Sequence, residues 1–108
     1  MSYEVRISEH FKKEVKRLIK RYRSLANELD KLINSLSVHP IQGVPIGNNI
    51  YKIRLAIDSK RVGKSGGARV IALVEVTDTI VVLLSIYNKG EKDDISDKEL
   101  QKLIQDLE

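Results

Sequence analysis

Apolar and polar residues alternate along this chain with two different periods, and the change of period marks its elements. Tyr3, Val5 and Ile7 interleave with Glu4, Arg6 and Ser8, the period-2 pattern of a short strand. From Phe11 the period lengthens. Phe11, Val15, Leu18, Ile19 and Tyr22 make one helical stripe, Lys12, Lys13, Lys16, Arg17, Lys20 and Arg21 lie opposite it, and Ser8 stands where an N-cap belongs. Leu25, Leu29, Leu32, Ile33 and Leu36 repeat the spacing behind Ser24, a second candidate cap. So short a break between the helices predicts an antiparallel helical hairpin.

Residues 39–49 hold both prolines and read as a turn-rich connection. Period 2 then returns: Tyr51, Ile53, Leu55 and Ile57 alternate with Lys52, Arg54 and Ala56. A glycine-rich basic loop follows over residues 58–67. Two further strands, over 68–76 and 80–87, are joined tightly at Thr77-Asp78-Thr79. The last helix announces its start in full: Ser96 as N-cap, Glu99 closing a capping box, and Ile95 with Leu100 as a hydrophobic staple. Leu100, Leu103, Ile104 and Leu107 give it an apolar stripe.

These elements predict an α+β fold, β-α-α-β-β-β-α. An antiparallel four-stranded sheet carries the helical hairpin on one face, and the C-terminal helix partly covers the other. Strand parity puts Lys52, Arg54, Arg69 and Tyr87 on the second face, with Ile71, Leu73, Val81 and Leu83. The last helix is expected to dock over Leu73, Val81 and Leu83 and leave the charged end open. The expected register pairs Arg69 with Tyr87 and with Ala56, so that Arg54 stands one diagonal step from Arg69.

Composition narrows the picture. The 108 residues suit one domain, 1–108, and the absence of cysteine excludes disulfides and thiolate metal sites. The longest apolar runs, 70–74 and 80–84, are strand-length and far below a membrane span. With no signal-peptide character at the start, the expected location is the cytoplasm. The net charge of +4 is divided unevenly: residues 1–69 hold 15 Lys/Arg against 6 Asp/Glu, and residues 70–108 hold 4 against 9. That asymmetry suggests a basic face for nucleic acid or membrane, while lysines that merely solvate the helices explain it equally well.

Catalytic motifs are few. Gly63-Lys64-Ser65 lacks the glycine that a phosphate loop needs five residues earlier, where Asp58 stands, and a strand follows it instead of a helix. His10 and His39 are isolated, and Asp93, Asp94 and Asp97 read as a solvated turn and helix cap, so neither a metal nor a cofactor is expected. Lys52 and Arg54 could be ordinary outward residues of an edge strand. Their company argues otherwise, because Arg69 opens the next strand and Tyr87 closes the last at the same end of the sheet. An aromatic beside cations suits a nucleotide and its phosphate.

Three segments, Tyr51-Lys52-Ile53-Arg54, Gly63 to Ile71, and Ser85-Ile86-Tyr87-Asn88-Lys89, with Ser8, Phe11, Lys12 and Pro40 to Tyr51 around them, resemble the RelE/ParE superfamily of type II toxins in its RelE/HigB-like branch. The resemblance covers nearly the whole chain. It implies a fold similar to small microbial ribonucleases and a ribosome-dependent mRNA endonuclease, an mRNA interferase that inhibits translation. It further implies metal-independent attack of the ribose 2′-OH on the adjacent phosphate, leaving a 2′,3′-cyclic phosphate and a 5′-OH. Transferred residue by residue, Lys52 becomes a candidate base, Arg54 and Arg69 phosphate-stabilising groups, and Tyr87 a residue that stacks on, orients or exchanges a proton with the nucleotide. Lys60, Arg61, Lys64 and Lys89 become contacts to message or ribosomal RNA. Implied partners are a cognate antitoxin and mRNA in the ribosomal A site. The competing expectations are a ParE-like gyrase inhibitor, which needs no such residue set, and a non-catalytic RNA- or antitoxin-binding module.

Overall fold

Ser8 turns the chain from its first strand into its first helix, and it does so with one hydroxyl. Its backbone is extended, and its Oγ accepts the Phe11 N–H at 3.1 Å, an N-cap as the sequence predicts. The computed structural model describes residues 2–57 and 67–107. Helix α1 (Glu9–Arg21) buries Phe11, Val15 and Leu18, and α2 (Ser24–Val38) buries Leu25, Leu29, Leu32 and Leu36. Ser24 is the first helical residue of α2 and not its cap. Arg23 holds the cap position and makes no side-chain capping bond.

The sheet has five strands among the described residues: β1 (Glu4–Ile7), β2 (Val44–Gly47), β3 (Ile50–Leu55), β4 (Ala68–Glu75) and β5 (Ile80–Asn88), in the order β1-β5-β4-β3-β2. Four antiparallel strands were expected, and the sheet departs from that in two ways. The turn-rich connection contains β2, which forms a hairpin with β3. Asn48 and Asn49, both at positive φ (53° and 62°), supply the twist that a tight hairpin turn requires, and Pro45 is tolerated because β2 is an edge. The second departure is at the other edge, where β1 lies parallel to β5, so the sheet is mixed. Parallel pairing needs a long crossover, and the helical hairpin with β2 to β4 provides one.

The predicted register holds at Arg69, which pairs with Tyr87, but Arg54 and not Ala56 lies opposite Arg69. The shift is by two residues, so each side chain keeps its face. In β5 one face assignment does change. Ile71 pairs with Ser85 and Ala72 with Leu83, leaving Leu84 as the extra residue of a β-bulge. Val81 and Leu83 therefore join the core beneath the helical hairpin, while Val82 and Leu84 turn toward the C-terminal helix. The expectation that Val81 and Leu83 lie under the last helix is thereby corrected. Ser8 uses the carbonyls the bulge exposes: its N–H donates to Leu83 O at 3.1 Å and its Oγ to Leu84 O at 3.2 Å.

Helix α3 (Asp97–Gln105) starts with the predicted capping box and packs on Ile50, Ile71, Leu84 and Tyr87. Only Leu103 of its residues is buried. One buried leucine contributes about 1.5–3 kcal/mol, so α3 is held far less firmly than α1 or α2. No helix among the described residues is long and apolar enough to cross a membrane.

Candidate active site

Three strands set the site. Arg54 on β3, Arg69 on β4 and Tyr87 on β5 are successive cross-strand partners, so their side chains form one row on the face that α3 only partly covers. Lys52, two residues before Arg54, projects from the same face opposite Ile71. Because β2 pairs with β3, this strand lies inside the sheet. Protection of a sheet edge therefore does not explain its two cations.

Burial grades along the row. Arg54 is exposed, whereas Arg69 and Tyr87 are only 5% and 4% exposed. Arg69 Nη1 donates to the Ala68 carbonyl at 3.2 Å, which orients its guanidinium within the sheet end. The Tyr87 ring packs in the cluster with Leu84 and Leu103, and the Lys92 ammonium lies 5.6 Å from its centroid. In this arrangement Tyr87 presents its hydroxyl, not a ring face free for stacking. That hydroxyl donates to Asp94 Oδ1 at 3.3 Å. Burial, then the Asp94 charge, push the phenol up to about 12, with Arg69 opposing. The group is therefore a proton donor at neutral pH.

Asp94 was read from sequence as part of a solvated turn, yet it touches the site twice. The oxygen that accepts from Tyr87 also accepts from Lys52 Nζ at 3.3 Å, and the Ile95 N–H holds it at 2.8 Å. That backbone bond, aided by Lys52, lowers the Asp94 carboxyl below its usual range. A carboxylate one residue before a helix-entry staple is the signal that sequence reading passed over. His10, isolated in the sequence, also comes near the site. It lines, with Ser85, Tyr87 and Glu99, a cleft of about 370 Å³ beside the tyrosine.

Of the predicted RNA contacts, Lys89 is described: its ammonium pairs with Asp93 at 3.3 Å, and its N–H donates to Gly67 O at 3.0 Å. Lys60, Arg61 and Lys64 lie outside the described residues. Further along, Glu91 binds Arg17 at 3.2 Å and Arg21 at 3.0 Å, tying the β5–α3 connection to the basic face of α1. Among the described residues, no group of three or more His, Asp or Glu side chains is placed to hold a metal ion.

The profile of the RelE toxin of the RelE/RelB toxin–antitoxin system matches residues 6–106. The chain belongs to the RelE toxin family. Solved structures share its fold. A substituted form of the Escherichia coli toxin RelE in the free state superposes with a TM-score of 0.62 at 18% identity, covering 97% of each chain. The RelBE2 toxin–antitoxin complex of Mycobacterium tuberculosis gives 0.62 at 20% identity, over 82% of this chain and 99% of that one. Isolated E. coli RelE in its P21 crystal form gives 0.51 at 18% identity, over 96% of this chain and 98% of that one. No curated protein sequence matches the chain. This RelE-family chain carries its cationic row on the sheet face that α3 partly covers.

Proposed function

We propose that this chain is the endoribonuclease toxin of a type II toxin–antitoxin pair, cleaving mRNA on the ribosome in the cytoplasm. The observation that carries the reading is the row Arg54–Arg69–Tyr87, with Lys52 beside it, on the one sheet face that is not filled by the helical hairpin. Two guanidiniums and an ammonium match a phosphodiester gaining negative charge, and a protonated phenol matches a leaving oxygen that needs a proton.

The steps balance without a redox partner. The ribose 2′-OH gives up its proton, its oxygen bonds to the adjacent phosphorus, and the P–O5′ bond breaks. The departing 5′-oxygen takes a proton, and a 2′,3′-cyclic phosphate remains on the other fragment. Arg54 and Arg69 stabilise the phosphorane, since neither gives up a proton at physiological pH. Tyr87, protonated and hydrogen-bonded, serves as the acid. Lys52, which reaches Asp94 at 3.3 Å, accepts the 2′-OH proton as a free amine and faces the phosphorane as the ammonium so formed. Lys60, Arg61, Lys64 and Lys89 serve as contacts to message or ribosomal phosphates.

The implied partners are a cognate antitoxin that silences the site and the translated message in the ribosomal A site. Family membership supports the first. Primer extension on messages from cells expressing the chain tests the second. Cleavage stops within translated frames are expected, and growth arrest without any stops, or with DNA damage instead, overturns the nuclease reading.

A further inference from the structure

Asp94 sits where the nuclease reading needs an anion of another kind. Its Oδ1 bridges Lys52 Nζ and the Tyr87 hydroxyl, both at 3.3 Å, the same two groups assigned to the scissile phosphodiester. The carboxylate is not buried structural ballast, because its side chain is 61% exposed. It is held in place by the chain just ahead of α3 through the Ile95 N–H. That connection is fastened to the rest of the molecule by ion pairs at the surface: Lys89 with Asp93, Glu91 with Arg17 and Arg21, and Lys92 with Glu99. Such pairs are individually weak and screened by salt. The helix that follows buries only Leu103.

We propose that Asp94 is a built-in competitor for the substrate phosphate, holding Lys52 and Tyr87 in the RNA-free protein and leaving them when a phosphodiester arrives. The inference rests on the nuclease reading and adds its regulation. A resident carboxylate neutralises the Lys52 end of the site while no RNA is present. It also keeps both side chains at the spacing of a shared oxygen, so an incoming phosphate oxygen replaces one acceptor with another and finds its donors already placed. Departure requires only that Asp94 swing away with the segment before α3, without disturbing the ladder of β3, β4 and β5. A phosphodiester that also engages the arginine row outcompetes a carboxylate held by one ammonium, one phenol and one backbone N–H. Selectivity follows. Anions that engage Lys52 alone do not displace Asp94, whereas those spanning Lys52 and the arginine row do.

The test is Asp94→Asn, which removes the charge and keeps an oxygen for the Ile95 N–H, assayed in the full chain on ribosomes programmed with a short message. A KM about two- to fivefold below wild type with kcat unchanged is expected, the factor that one exposed ion pair represents. An unchanged or higher KM overturns the proposal. So does a lower kcat at constant KM, which makes Asp94 a residue that positions Tyr87 for the reaction. A second measurement separates this from failure of the nuclease reading. Inorganic phosphate is titrated at constant ionic strength and followed by the NMR signals of the Ile95 amide and the Lys52 side chain. Tighter phosphate binding by Asp94→Asn upholds the exchange even if wild-type protein cleaves no message. Equal or weaker binding overturns it.

Discussion

Arg54 and Arg69 stand directly opposite each other across the β3–β4 ladder, two guanidiniums on one face of a sheet. Like charges at cross-strand positions destabilise a sheet unless other groups compensate them. Arg69 is nearly buried and Arg54 is exposed, so the pair forms a positive surface with its base fixed inside the protein and its outer edge in solvent.

The outer member of this pair gives the cleaner mutation. Arg54→Ala is expected to change unfolding free energy by no more than about 0.5 kcal/mol, as for most exposed positions. Cleavage on programmed ribosomes should fall by roughly 10²–10³-fold, the usual effect of removing one preorganised donor from a developing anion. Arg69→Ala should lose activity and also about 1–3 kcal/mol of stability, because its buried partners are left unsatisfied. Denaturant unfolding beside single-turnover cleavage distinguishes the two, and full activity in Arg54→Ala removes the row from the mechanism.

Tyr87→Phe keeps the ring in its cluster with Leu84 and Leu103 and deletes only the hydroxyl that reaches Asp94. A proton-transfer role predicts a fall in kcat of about 10²–10⁴ with near-normal melting temperature. Wild-type kcat in this variant assigns the leaving-group proton elsewhere. The phenol also leaves an alkaline signature. Its folded pKa, about 12, lies above the ordinary 10.0, so its contribution to stability is complete below pH 10 and lost as pH rises through the folded value. Spectrophotometric titration should show a tyrosine ionising at about pH 12, and Tyr87→Phe should remove that step.

Gly43 connects the edge hairpin to the site. It has φ +84°, and a Cβ there would meet the Lys52 carbonyl oxygen at 2.3 Å. Gly43→Ala must therefore move β3 backbone at a residue of the candidate site. A loss of about 1–3 kcal/mol is expected from the strained φ and the overlap. Cleavage should fall further than the population of folded protein accounts for, measured by comparing activity with circular dichroism at the same temperature. Equal losses in both would confine Gly43 to stability.

Acid should loosen the β5–α3 connection before it unfolds the core. The Ile95 N–H and Lys52 lower Asp94, and Lys92 and the Ser96 N–H lower Glu99. Burial raises Glu91, but Asn88, Arg17 and Arg21 outweigh it and the net shift is downward. Each folded value lies below its ordinary value of 3.8 for aspartate or 4.5 for glutamate. The stabilisation is thus complete above those values and disappears as pH falls through the folded ones. Relative to the intrinsic rate at each pH, amide exchange at Lys89–Leu103 should accelerate below about pH 4.5, earlier than in β4, and Glu91→Gln should lessen that acid response. Simultaneous acceleration in both segments counts against this local opening.

Local pattern alone determined most of the scaffold. The stripes of α1, α2 and α3, the caps at Ser8 and Ser96, and the alternation that aims Lys52, Arg54, Arg69 and Tyr87 the same way arise from neighbours a few residues apart. Tertiary structure alone decided the rest. The bulge at Leu84 reassigned Val81 and Leu83 to the main core, and Ser8, 76 residues away, is the group that takes the Leu84 carbonyl. The two-residue shift that sets Arg54 against Arg69 preserves every face, so alternation is blind to it. Strand β2 hides behind Pro45, and Asp94 looks like one more solvated acid until the fold carries Lys52, 42 residues distant, to its oxygen. Periodicity encodes which way a side chain faces. What it meets there depends on how distant backbone hydrogen bonds are satisfied.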